Sequence, residues 1–313
     1  MNIIKPKRLR HGDLIGLVTP ASPIADPPRI ERAVHYLERL GYRVTVGERV
    51  GKVHGYLAGA DEERLADLRA MFEDQRVKAI IALRGGYGTP RLLSKLNYRL
   101  ISRNPKILVG FSDITALQLA LWRQCGLITF HGPMAGVDMA DTIDGFTEEL
   151  FWRTVTSTKK IGRISFPPGV QPSTLHPGKA VGRLVGGNLS IVVSLLGTHY
   201  FPRTTDAVLF LEDIGEEPYR VDRMMTQLRN AKVFSKCNAV LTGQFSDCLP
   251  KDQAKPSLSV EEILDEVARH AGRPFISNLP FAHLPQKMTL PIGLRVQVDA
   301  SSASIQYLES AVS

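Results

Sequence analysis

The sequence predicts an α/β protein whose N-terminal part is a parallel sheet covered by helices. Two observations carry this. Short apolar runs that read as buried strands, such as Leu14 to Thr19, Lys78 to Leu83 and Ile107 to Val109, alternate with segments whose apolar residues recur at helical spacing. That alternation means parallel strands joined by crossover helices. The chain also has 313 residues, 43% of them hydrophobic, which is enough to bury a large core and to make two domains.

In chain order, Leu14 to Thr19 is the first strand and ends in the loop Pro20-Ala21-Ser22-Pro23. Ile30, Val34, Leu37 and Leu40 follow at helical spacing until Gly41 stops the helix. Tyr42 to Val46 is a second strand, Asp61 is placed to cap a helix bearing Leu65, Leu68 and Phe72, and Lys78 to Leu83 is a third strand. Thr89 and Pro90 suit the N-cap and first position of the next helix. Ile107 to Val109 is the fourth strand and Leu127 to Phe130 the fifth.

Residues 1–160 are therefore expected to form one domain. Ile161 to Lys179 holds four prolines and three glycines without periodicity and reads as a linker over 161–179. A second domain is expected over 180–313. Its elements are a strand at Val181 to Val185, a turn at Gly186-Gly187-Asn188, and a run Leu189 to Leu196 that fits helix or strand, with helix favoured because Asn188 can cap it. Ala207 to Leu211 is a buried strand delivering Glu212 and Asp213 at its end, and Pro218 to Ala231 a helix whose Met224 and Met225 fill core space. Ala239 to Thr242 is a strand, Val260 to His270 an acidic amphipathic helix, and the segments around Phe275, Val296 and Ile305 close the domain.

Composition excludes several classes of function. Charged residues are 22% of the chain, too few for a disordered protein. No apolar run approaches a membrane span, and the basic start Met1 to Arg10 runs into Gly12-Asp13 without the apolar stretch of a signal peptide. Three scattered cysteines, Cys125, Cys237 and Cys248, have neither zinc spacing nor a disulfide pattern and fit a reducing compartment. The net charge of +8 is spread along the chain rather than gathered into a nucleic-acid footprint; it suits a solvated surface and would steer an anionic small substrate.

Two turns carry chemistry. In Gly110-Phe111-Ser112-Asp113 a strand turns sharply into a helix, which lifts Ser112 above the carboxyl end of the sheet, where open α/β sheets bind ligands. Ser112 and Asp113 also suit a helix cap, so the turn alone leaves both readings open. In Arg84-Gly85-Gly86-Tyr87-Gly88 the glycines let backbone approach a ligand and aim N–H groups at negative charge. A phosphate cradle is one reading, although the lysine and spacing of nucleotide-binding loops are missing. Donation of one N–H to an oxyanion, with the second from Asp113, is the other. A serine nucleophile needs a base and a group that orients the base. His283, in a loop held by Pro280 and Pro285, and Glu212, at the end of an apolar strand, are the candidates. Sequence spacing does not bring them together.

The chain resembles the serine LD-carboxypeptidases, or muramoyltetrapeptide carboxypeptidases, and their relatives that confer microcin immunity. The resemblance runs along nearly the whole chain: L-V-T-P-A-S-P, R-G-G-Y-G, V-G-F-S-D-I-T, G-G-N-L, F-L-E-D-I-G-E-E-P-Y, and the late F-A-H with T-L-P-I-G. It implies an α/β fold, an N-terminal doubly wound parallel sheet with a smaller β-rich C-terminal domain and the active site between them. It implies Ser112 as nucleophile, His283 as base, Glu212 as its orienter, and backbone N–H groups of Gly86 and Asp113 as the oxyanion hole. The implied reaction removes the terminal D-alanine of murein tetrapeptides in cell-wall recycling, in the cytoplasm, as a homodimer, with no metal or organic cofactor and with no nucleic acid or membrane as partner. A free substrate carboxylate calls for an arginine, and Arg84 and Arg220 are the candidates. Two departures stand out. Ala282 replaces a common glycine before the histidine, harmless unless that position needs a positive φ, and His199 stands where proline is expected. The alternatives are a related peptidase acting on peptide–nucleotide conjugates and a non-catalytic phosphate- or nucleotide-binding protein.

Overall fold

The computed structural model describes residues 2–252 and 254–313. The expected alternation is realised by β1 (Leu14–Val18), α1 (Pro28–Arg39), β2 (Arg43–Val46), α2 (Asp61–Glu73), β3 (Val77–Ala82), α3 (Tyr98–Arg103), β4 (Ile107–Gly110), α4 (Ile114–Cys125), β5 (Thr129–His131) and α5 (Gly145–Thr156). The five strands pair in parallel, with Ile15, Leu17, Ile80, Ile81, Leu108 and Val109 fully or almost fully buried. Such near-continuous apolar strands are what a sheet covered on both faces requires. Local chemistry sets the helix ends. Gly126 closes α4 in the left-handed conformation (φ 70°), and Asp144 caps α5 by accepting the N–H groups of Phe146 and Thr147. Asp61 is the first residue of α2 rather than its cap. Ala60 takes the cap position, its N–H bonded to Glu63, while Asp61 pairs with Arg64 and Arg91.

The C-terminal half contains β6 (Gly162–Arg163), β7 (Ser173–His176), β8 (Lys179–Asn188), α6 (Leu189–Ser194), β9 (Ala207–Ile214), α7 (Pro218–Asn230), α8 (Val233–Lys236), β10 (Ala239–Ser246), α9 (Val260–Ala271), β11 (Phe275–Ser277), β12 (Leu290–Ile292), β13 (Arg295–Asp299) and β14 (Ser304–Tyr307). Eight of these strands form one sheet in the order β6-β14-β13-β8-β9-β10-β11-β7, parallel through β8 to β11 and antiparallel towards both edges. The fold is thus α/β, a doubly wound parallel sheet followed by a β-rich half.

Three expectations change. The stretch 161–179 is more than a linker, since it supplies β6 and β7 at opposite edges of the second sheet. Its prolines all fall outside those two strands, where no ladder bond is lost. Gly186 and Gly187 form no turn but lie within β8, at φ 149° and 139°. A side chain at Gly186 would collide with the Phe210 backbone, so glycine there serves close approach of two strands. Finally, β12 was not foreseen. It leaves the second sheet and pairs antiparallel with β5, completing the first sheet as β12-β5-β4-β3-β1-β2.

Candidate active site

Ser112 sits between the end of β4 and the start of α4 with φ 60°, a left-handed conformation uncommon for a residue with a side chain. A methyl group at Gly85 would come within 2.9 Å of Ser112 Cβ and 3.1 Å of its Oγ, so the glycine loop packs directly on the serine. Asp113 stands at the N-cap position of α4 but makes no side-chain cap bond. Its carboxylate instead accepts the N–H of Thr89 at 2.8 Å, and its carbonyl accepts the Thr89 hydroxyl. Thr89 is therefore a tie between the two turns rather than the cap it was expected to be. Burial pushes the Asp113 carboxyl above its ordinary range. Among the described residues, the N–H groups of Gly86 (φ 114°) and Asp113 donate to no protein acceptor.

Glu212 lies on β9 and is completely buried. Its Oε2 accepts His283 Nδ1 at 2.8 Å, across 71 residues of sequence. Burial raises the Glu212 carboxyl, and the hydrogen bond to His283 opposes that rise by favouring the ionised form. Oε1 has no hydrogen bond among the described residues, though the Asn188 amide lies near enough to favour the carboxylate as well. With Nδ1 donating to Glu212, Nε2 is the free acceptor of the ring. Ala282, just before this histidine, has φ 79°, so the position does demand the left-handed conformation and alanine bears it under strain.

Aromatic groups seat the histidine. The Phe111 ring meets His283 edge-on with centroids 5.0 Å apart. Behind it, His131 packs against Phe111, Phe210 and Phe281. Neither ring nitrogen of His131 is hydrogen-bonded among the described residues, and burial pushes its pKa down to about 3, which keeps it neutral. Sequence reasoning missed His131, whose only local signal was its place at the end of a strand.

Ser112 and His283 line one cavity of about 410 Å³ together with Gly85, Gly86, Arg84 and Arg29. No hydrogen bond joins Ser112 to His283 among the described residues; the two groups share the cavity wall. Arg84 donates to the carbonyls of Gly85 and Pro23, each at 3.3 Å, leaving donors directed elsewhere. Arg220 is not part of this wall. It lies on α7 with its guanidinium 3.6 Å from Glu216 and 5.9 Å from the Tyr219 ring centre, an exposed ion pair. Arg29, which sequence reasoning passed over, is in the wall; it donates to the carbonyls of Gly136 (2.6 Å) and Val137 (3.1 Å) and pairs with Asp141. Its position in the first turn after the loop that closes β1 was the available signal.

Comparison with known proteins agrees across the chain. Residues 15–132 match the LD-carboxypeptidase N-terminal domain and residues 181–298 the LD-carboxypeptidase C-terminal domain. A probable murein peptide carboxypeptidase of Bacillus subtilis is 40% identical over 311 residues, covering 99% of this chain and 95% of its own. The crystal structure of a muramoyltetrapeptide carboxypeptidase from Oxalobacter formigenes superposes with a TM-score of 0.82 at 32% identity, over 94% of this chain and 97% of that one. The microcin C7 self-immunity protein MccF in complex with aspartyl sulfamoyl adenosine superposes with a TM-score of 0.91 at 26% identity, over 99% and 100% of the two chains.

Proposed function

The chain belongs to the LD-carboxypeptidase family and is a serine carboxypeptidase, and from this we propose that it removes the terminal D-alanine of murein tetrapeptides through Ser112, His283 and Glu212. The observation carrying the reading is the 2.8 Å bond from His283 Nδ1 to buried Glu212, in a ring that shares its cavity with a strained Ser112. His283 Nε2 takes the Ser112 proton as Oγ attacks the carbonyl between the L-centre of the diamino acid and D-alanine. The tetrahedral oxyanion is held by the N–H groups of Gly86 and Asp113, neither of which serves a protein acceptor. His283 then protonates the leaving amine, and water activated by the same ring hydrolyses the acyl-enzyme, releasing the tripeptide. Arg84, with donors to spare at the cavity wall, is the residue we assign to the free carboxylate of the substrate.

The reading carries with it a cytoplasmic role in cell-wall recycling and a homodimer. Among the described residues no helix is long and apolar enough to cross a membrane. A second reading, cleavage of an aminoacyl-sulfamoyl nucleoside, is favoured by the superposition on MccF holding such a ligand. Mass spectrometry of murein tetrapeptide and of aspartyl sulfamoyl adenosine, each incubated with the protein, tests both. Loss of one alanine from the tetrapeptide is the expected result, abolished in Ser112→Ala. Cleavage of the nucleoside conjugate alone would replace the first reading by the second.

A further inference from the structure

The segment that follows His283 holds a buried ion pair that the proposed chemistry does not use. Lys287 is 3% exposed, and its ammonium is paired with the carboxylate of Asp138, which is itself almost fully enclosed. Isolated burial of either charge is costly, and an ion pair in the interior is often no more stabilising than apolar residues of the same size. A pair of this kind calls for an explanation other than stability.

Its neighbours supply one. Asp138 belongs to a wide helical turn, Ala135–Met139, where its other carboxylate oxygen accepts the N–H of Met134 at 2.8 Å. Gly136 and Val137 of that turn, with Met134 just before it, line the wall of the Ser112 cavity. Lys287 lies in the segment carrying His283, and the same segment is pinned to α5. Thr147 Oγ1 donates to the Pro285 carbonyl at 2.9 Å and accepts the Lys287 N–H at 2.8 Å. The Lys287 ammonium also stands 4.6 Å from the centre of the Phe111 ring, and the edge-on contact between Phe111 and His283 is at 5.0 Å. Phe111 is the residue before Ser112. One ammonium thus touches the cavity wall, through Asp138, and the ring between nucleophile and base.

We propose that Lys287 and Asp138 are a positioning pair that fixes His283 relative to Ser112 by clamping the segment after the histidine onto the N-terminal half. The proposal rests on the triad reading above. Neither residue touches substrate; both act through the placement of His283, for which a displacement of about 1 Å costs on the order of a hundredfold in rate.

The decisive variant is Asp138→Asn/Lys287→Met, which removes both charges and leaves neither one stranded. Three quantities are read: the melting temperature, the rate at which an active-site serine reagent labels Ser112, and kcat and KM for the murein tetrapeptide. The expected result is a folded protein with KM within about twofold of wild type, and with labelling rate and kcat each lowered by about tenfold or more. Lys287→Arg, which keeps the charge on a differently shaped head, is expected to fold and to recover part of that loss. Wild-type labelling and kcat in the folded double variant would overturn the proposal. If the double variant fails to fold, unchanged labelling and kcat in Asp138→Asn, which keeps the shape of the side chain and cancels the pair, overturn it equally. Ser112→Ala separates the two levels of inference. Its labelling at the wild-type rate would sink the triad reading itself, whereas an unlabelled Ser112→Ala beside a fully active double variant sinks only the clamp.

Discussion

Glu212→Gln separates catalysis from stability more sharply than any other change at this site. The substitution keeps shape and volume and alters one contact, the 2.8 Å bond to His283 Nδ1. A carboxylate can only accept, so it fixes the proton on Nδ1 and leaves Nε2 free to take the serine proton. A glutamine amide that turns its NH2 towards Nδ1 reverses this, placing the proton on Nε2, where the base must be empty. The acid-to-amide change in an established serine triad costs about ten-thousandfold, or about 5.5 kcal/mol of transition-state stabilisation. Folding responds differently. Glu212 is completely buried and its carboxyl is raised by that burial, so ionising it costs more in the folded state than in the unfolded chain. A carboxyl raised on folding contributes its stability at low pH and loses it as pH rises through the folded value. At neutral pH the charge is therefore a burden that Gln does not carry. If Glu212 orients His283 as proposed, kcat on the murein tetrapeptide should fall by about a thousandfold or more, with a melting temperature equal to or above that of wild type. A variant within about tenfold of wild-type kcat would refute the orienting role. Parallel loss of activity and melting temperature would show that Glu212 serves the fold instead.

Three further changes test the surroundings. Gly85→Ala introduces a methyl 2.9 Å from Ser112 Cβ and 3.1 Å from its Oγ, and should lower kcat by about a hundredfold or more; normal turnover would mean that the loop stands clear of the reacting atoms. Ala282→Gly relieves a side chain held at φ 79°, worth about 1–2 kcal/mol, against about 0.5–1 kcal/mol of added unfolded-chain entropy. Urea denaturation should show unchanged or slightly raised stability, and a clear loss would contradict the strain. Lys106 is 4% exposed, donates to the Val77 carbonyl at 2.6 Å, and is pulled by burial from 10.5 down to about 8. The fold favours its neutral form, so this residue should make stability rise between pH 8 and 10.5, by up to about 3 kcal/mol. Comparing wild type with Lys106→Met across that range isolates the slope, and identical slopes would refute it.

What was legible in the sequence was what is local. Ser112 stood out because a strand run and a helix run meet within four residues, and Glu212 because an apolar strand delivers it. The Gly186-Gly187 pair misled because glycine permits turns and close strand contacts alike, and only the Phe210 backbone opposite decides which. Arg220 misled because its distance from the cavity depends on how α7 lies in the second half, which helical periodicity does not fix. The path of β12 was equally hidden: three residues that pair with β5 carry no local sign of which sheet they join. Yet β12 bears directly on the site. The segment holding His283 runs from β11 in the second sheet to β12 in the first, so the histidine lies on a bridge anchored in both sheets. Ser112 follows β4, the neighbour of β5, which pairs with β12. The separation of Ser112 and His283 is therefore set through consecutive strands of one sheet as well as by packing between two halves. A substitution that loosens the β5–β12 pairing should act on His283 before it unfolds the chain, because the bridge loses one anchor while each half keeps its own core.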